Sequence, residues 1–159
     1  VFVFIIIPIL LTFGASYEKS SNKVIREILK LANPKKSERV ADLGSGDGAI
    51  VIEFAKRGIE AHGFEINPFL VIWSKCRIKL LGLDKKAFIH WKNFWISNLK
   101  NFDVVIVFQV GYLMGALERK LEKELKRGAR VISNRWKFPS WKLKKKIDMA
   151  TGIYFYEVR

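Results

Sequence analysis

The chain has 159 residues, half of them apolar, which suits one domain with a single core and is too short for a dinucleotide domain plus a substrate domain. Its single Cys excludes an internal disulfide, and its two histidines, far apart on expected strands, show no metal-ligand spacing. A net charge of +14, from 29 Lys and Arg against 15 acids, suits nucleic acid, anionic lipid or acidic protein, and equally a lysine-rich solvated surface.

Residues 1–17 carry no charge, and VFVFIIIPILLTF is almost wholly apolar. A bilayer-spanning helix needs about 17–20 such residues, and Pro8 would kink one. This stretch is therefore expected to stand apart from a domain over residues 18–159. Residues 1–15 are a candidate membrane anchor. Lys19, Lys23, Arg26 and Lys30 follow closely, and such flanking charges would place the domain on the cytoplasmic side. The competing reading is an arm packed against the domain.

Ser20 to Asn33 reads as a helix capped by Ser20 or Ser21, with Val24, Ile25, Ile28, Leu29 and Ala32 at helical spacing. Val40 to Leu43 reads as a buried strand, and Ala49 to Lys56 as the helix after it. AHGFE gives a second strand, and Pro68 opens a helix running to Gly82. On that helix Phe69, Trp73, Cys76 and Leu80 share one face, read as core. AFIHW and VVIVF are the third and fourth strands. Leu113, Leu117, Leu121 and Leu125 mark a helix closed by Gly128, and ARVIS is the fifth strand. Lys142 to Lys146, KLKKK, reads as a solvated loop, and IYFYEV as the last strand. Strands alternating with helices, then strands alone, predict an α/β fold: a doubly wound, mostly parallel Rossmann-like sheet ending in an antiparallel hairpin.

The stretch VADLGSGDGAIVIEFA, Val40 to Ala55, joins a strand, a glycine-rich turn and a helix N-terminus, which together make a nucleotide cradle. Glu65, ending the second strand, is placed to accept ribose hydroxyls. Gly44, Gly46 and Ala49 also satisfy a dinucleotide fingerprint. Asp42 and Asp47 argue against that option, because a pyrophosphate would meet two extra negative charges. S-adenosylmethionine has no phosphate and a cationic amino acid end, which suits them.

DLGSGDG followed by GFEIN resembles motifs I and II of class I methyltransferases. KNFW (Lys92 to Trp95), LERKLEKELKRGARVIS (Leu117 to Ser133) and RWKFPSW (Arg135 to Trp141) then narrow the match. Over roughly residues 16 to 158 the chain resembles the small protein-lysine methyltransferases. That group includes archaeal broad-specificity enzymes and the mitochondrial enzymes acting on the ATP synthase c subunit and the adenine nucleotide translocase. The resemblance implies an S-adenosylmethionine-dependent protein-lysine N-methyltransferase with a protein substrate as acceptor. It assigns Asp42, Gly44, Ser45, Gly46, Asp47 and Gly48 to the methionine end of the cofactor, Glu65 to the ribose, and Asn93 and Phe94 to the adenine edge. On the acceptor side it points to Tyr17, Gln109 and Tyr112, with Trp136, Phe138 and Trp141 as an aromatic wall. The charge also admits an RNA methyltransferase, a less favoured reading because no NPPY-like or paired-cysteine motif follows the fourth strand. A methyltransferase-fold binding module without turnover is the third option.

Overall fold

The computed structural model describes residues 20–159. Helix α1 (Asn22–Ala32) is capped by Ser21, whose hydroxyl accepts from the Val24 N–H. Strand β1 (Arg39–Leu43) leads through the glycine turn into α2 (Ala49–Lys56). β2 (Glu60–Glu65), α3 (Pro68–Leu80) and β3 (Ala87–Trp91) follow. β4 (Val104–Val107), α4 (Met114–Glu124), β5 (Arg130–Asn134), β6 (Lys145–Ile147) and β7 (Ile153–Glu157) complete the domain.

The seven strands lie in the order β3-β2-β1-β4-β5-β7-β6. β1 to β5 run parallel, whereas β7 is antiparallel to both β5 and β6. This is the doubly wound sheet with an antiparallel end that the sequence predicts. The chain reverses its direction of winding between β1 and β4, and the carboxyl ends of these two strands open a crevice there.

β1, β2, β4 and β5 bury both faces, whereas β3, at the sheet edge, buries only the Ala87 and Ile89 side. Val40, Ala61, Ile89, Val104 and Ile132 pack under α1, α2 and α3. Ala41, Leu43, Val105, Val107 and Val131 pack on Met114, Leu117 and Leu121 of α4 and on Phe102 and Tyr156. Between β3 and β4 only a short 3-10 turn, Phe94–Ile96, replaces a helix. On the sheet face beside it, His62 of β2 and His90 of β3 pair with each other, Nδ1 to Nε2 at 2.9 Å with stacked rings. Burial holds both below the usual histidine range.

Three expectations need correction. The Phe69, Trp73, Cys76 and Leu80 face of α3 points outward, and Cys76 is exposed. Val71, Ser74 and Ile78 carry the buried side instead. Lys145 and Lys146 of the basic run belong to β6, an edge strand, where lysines discourage pairing with another chain. The membrane anchor, with its placement on the cytoplasmic side, is not upheld: among the described residues no helix is long and apolar enough to cross a membrane. Residues 1–15 themselves, and Tyr17, lie outside the described residues.

Candidate functional site

The carboxyl ends of β1 and β2 gather the predicted acids at one edge, and the chain leaving β4 brings Gln109 beside them. Gly44, Gly46 and Gly48 all take positive φ, so the turn after β1 folds into a tight cradle that β-carbons would strain. The Gly44 and Ser45 N–H groups donate to the Phe64 carbonyl, which fastens the turn to β2. Glu65 then closes it from the far side. One of its oxygens accepts from the Gly46 N–H at 2.9 Å, and the other accepts from the Ile66 and Asn67 N–H groups, both at 2.8 Å. A carboxylate offers about four lone-pair positions. Three are taken, so room remains for one more donor without breaking a bond to the loop.

Asp47 is committed to the loop as well. Its Oδ1 accepts from the Ala49 N–H at 3.2 Å, and its Oδ2 receives the Arg77 guanidinium at 2.8 Å. The same Arg77 nitrogen donates to the Asp47 carbonyl at 2.7 Å. Arg77 projects from α3 thirty residues away, and nothing in its local sequence marks it. Asp42 has no such cation. Burial first, then the nearby charges of Glu65 and Asp47, push its carboxyl up to about 7.

Two buried polar atoms here have no hydrogen-bond partner among the described residues: Ser45 Oγ and Gln109 Oε1. Gln109 lies just past β4, and its Nε2 stands 3.3 Å from where a β-carbon on Gly44 would be. Gln109, expected on the acceptor side, is thus brought against the first cradle glycine. Such orphaned atoms are uncommon in folded proteins and fit a site that a ligand completes. Three acids, one arginine and two unpartnered polar groups suit a cationic nucleoside and repel a pyrophosphate.

The remaining predicted residues are less concentrated. Asn93 spends its side-chain oxygen on the Trp95 N–H at 2.9 Å, and Phe94 is buried in the second core. Tyr112 is exposed on a short 3-10 turn, Gly111–Leu113. Trp136 packs on that turn so closely that a β-carbon on Gly111 would sit 2.9 Å from its ring. Gly111→Ala should therefore destabilise the protein by about 1–3 kcal/mol in urea unfolding, as overpacking does. Phe138, in the core, meets the Tyr156 ring edge-on, and Trp141, half-buried, tilts against both, so these rings form no open wall. Glu118, buried on α4, holds this segment: it accepts from the Ser140 N–H and hydroxyl and from the Trp141 N–H at 2.7–3.1 Å. The LERK motif contains Glu118, but only the fold shows what it grips.

Comparison with known proteins adds four findings. The model of the ANTKMT methyltransferase domain matches residues 42–145. The lysine N-methyltransferase of the ATP synthase c subunit from Mus musculus is 36% identical over 136 residues, covering 86% of this chain and 55% of that protein. The chain thus spans little more than half of that relative. A protein-lysine N-methyltransferase of Saccharolobus islandicus (strain REY15A) is 33% identical over 149 residues, covering 89% of this chain and 92% of that one. The crystal structure of an RNA methyltransferase from Salinibacter ruber, in complex with S-adenosyl-L-homocysteine, superposes with a TM-score of 0.85. Its identity is 24%, over 89% of this chain and 94% of that one, and this likeness speaks for the fold alone.

Proposed function

The chain belongs to the ANTKMT methyltransferase domain family, and from that membership we propose that it is an S-adenosylmethionine-dependent protein-lysine N-methyltransferase. The observation that carries the proposal is the acid-rich cradle: Asp42, Asp47 and Glu65 surround a glycine turn, and among the described residues Arg77 is the one cation bonded to them. Such a site takes a cationic nucleoside. The lysine acceptor follows from the names of the relatives, two of which are lysine N-methyltransferases.

When bound, S-adenosylmethionine supplies a methyl group made electrophilic by its sulfonium. The protein's contribution is then to hold, orient and exclude water. Asp42 and the Gly44–Gly48 turn would hold the methionine end, and the last lone pair of Glu65 would accept a ribose hydroxyl. Asn93 and Phe94 would border the adenine. Gln109 Oε1, buried and unpartnered, would accept an N–H of the incoming amine and so set its direction. Tyr112 and Trp136 would form the lip where the lysine stem enters.

Asp42, whose carboxyl is raised to about 7, would be taken up by the methionine end of the cofactor, which leaves no described residue of the site as a base for the amine proton. The amine must then arrive neutral, and a lysine with an ordinary pKa near 10.4 is rarely so at pH 7. Activity should rise about tenfold per pH unit between about pH 7 and 9. The experiment incubates the chain with methyl-labelled S-adenosylmethionine and either lysate protein or total RNA, then digests the product. Methyl-lysine in protein, with the stated pH dependence, supports the reading. Label confined to RNA would sink it.

A further inference from the structure

Helix α3 is apolar on two opposite sides. Its residues follow one another at about 100° around the axis, so Val71, Ser74 and Ile78 share the side packed toward β2 and β3. Phe69, Ile72, Trp73, Cys76 and Leu80 fall together on the side directly opposite, at i, i+3, i+4, i+7 and i+11. Phe69 is 79% exposed, Ile72 62%, Trp73 58% and Leu80 87%. They form a ridge about 17 Å long at about 1.5 Å per residue. Single apolar residues on a surface are ordinary, but a continuous ridge of this kind marks a contact surface.

Charge identifies what fits it. No acid occurs between Pro68 and Leu80. Lys75 and Lys79 line one flank of the ridge, both exposed. On the other flank Arg77 is turned inward to Asp47. A second copy would bring the same lysines face to face between chains of net charge +14. A helix lying in a lipid surface carries a polar face rich in Lys and Arg opposite its apolar one, whereas α3 turns that opposite side into the core and exposes only Lys75 and Lys79 beside the ridge. A ridge one helix wide with a one-sided basic flank is complementary to another helix whose apolar stripe has acids along one edge. We propose that the outer ridge of α3 is a docking surface for an acidic amphipathic helix of a partner protein. The surface is separate from the glycine cradle and does not depend on the methyl-transfer reading.

The test measures fluorescence anisotropy of two labelled helical peptides against the full chain. Both carry leucines at i, i+3, i+4, i+7 and i+11; one has glutamates and the other lysines at the remaining positions. The acidic peptide should bind at least about tenfold more tightly than the basic one, and more weakly as salt rises. A Phe69→Ser, Trp73→Ser, Leu80→Ser variant should lose at least about tenfold in affinity while melting like the parent, since all three side chains are exposed. Lys75→Glu with Lys79→Glu should reverse the preference between the peptides. The proposal is overturned if the acidic peptide does not bind, if the serine variant binds it equally, or if both peptides bind alike. It is also overturned if vesicles of anionic phospholipid or a second copy of the chain, followed by sedimentation, occupy the ridge instead of the peptide.

Discussion

Replacing Asp42 by asparagine should make the ligand-free protein more stable at pH 8 and its binding of S-adenosylmethionine weaker. The two effects have one cause. Burial, with Glu65 and Asp47 close by, lifts the Asp42 carboxyl from 3.8 to about 7. The folded state thus holds this proton more tightly than the unfolded chain does. The contribution to stability is complete below about pH 4 and is lost as pH climbs from about 4 to about 7. A displacement of this size corresponds to a cost on the order of 4 kcal/mol above about pH 7. The neutral amide avoids the charge but keeps a buried polar group, so a gain of about 1–3 kcal/mol is expected at about pH 8 and almost none at about pH 4. Urea unfolding at both values measures it.

A cationic ligand reverses the sign. Positive charge beside Asp42 favours its ionised form, so binding should tighten with pH as the carboxyl ionises. Calorimetry between about pH 5.5 and 7.5, where an α-amino group of pKa about 7.7–8.0 is still mostly protonated, should show roughly a tenfold rise in affinity. The Asp42→Asn protein should bind at least about tenfold more weakly at about pH 7.5 and show a flat profile. An unchanged profile in the variant would remove Asp42 from the ligand's surroundings.

Glu65→Ala should have the largest effect on binding. The substitution removes the acceptor of three N–H groups, those of Gly46, Ile66 and Asn67, and with it the clasp between the glycine turn and the start of α3. Each bond to a charged acceptor contributes about 1.5–3 kcal/mol. Part of that is recovered by water, but loss of even two such bonds amounts to roughly a hundredfold or more in affinity if the turn no longer holds its shape. Stability should fall by about 1–3 kcal/mol at the same time. Glu65→Gln keeps one carbonyl oxygen and puts an NH2 where the other oxygen was, so it should lie between parent and alanine on both measures. Equal affinity in all three proteins would show that the clasp is irrelevant to the ligand.

Local signals carried much of the fold. The Ser21 cap, the strand–turn–helix unit from Val40 to Ala55, the glycine stops and AFIHW as a strand all depend on residues within a few positions of one another, and such features are readable from the chain alone. The acids of the cradle were legible for the same reason, since Asp42, the glycines and Asp47 form one turn. What each acid does was not. Arg77 reaches Asp47 across thirty residues, Glu118 holds Ser140 across twenty-two, and no periodicity encodes either bond. Spacing likewise placed Phe69, Trp73, Cys76 and Leu80 on one face of α3 without saying whether that face meets the core. The helix has apolar residues on both sides, and only the sheet, by packing on Val71 and Ile78, decided which side went in. The ionisation of Asp42 is of the same kind: the residue belongs to the sequence, but burial and the carboxylates beside it exist only once three strands have brought their ends together.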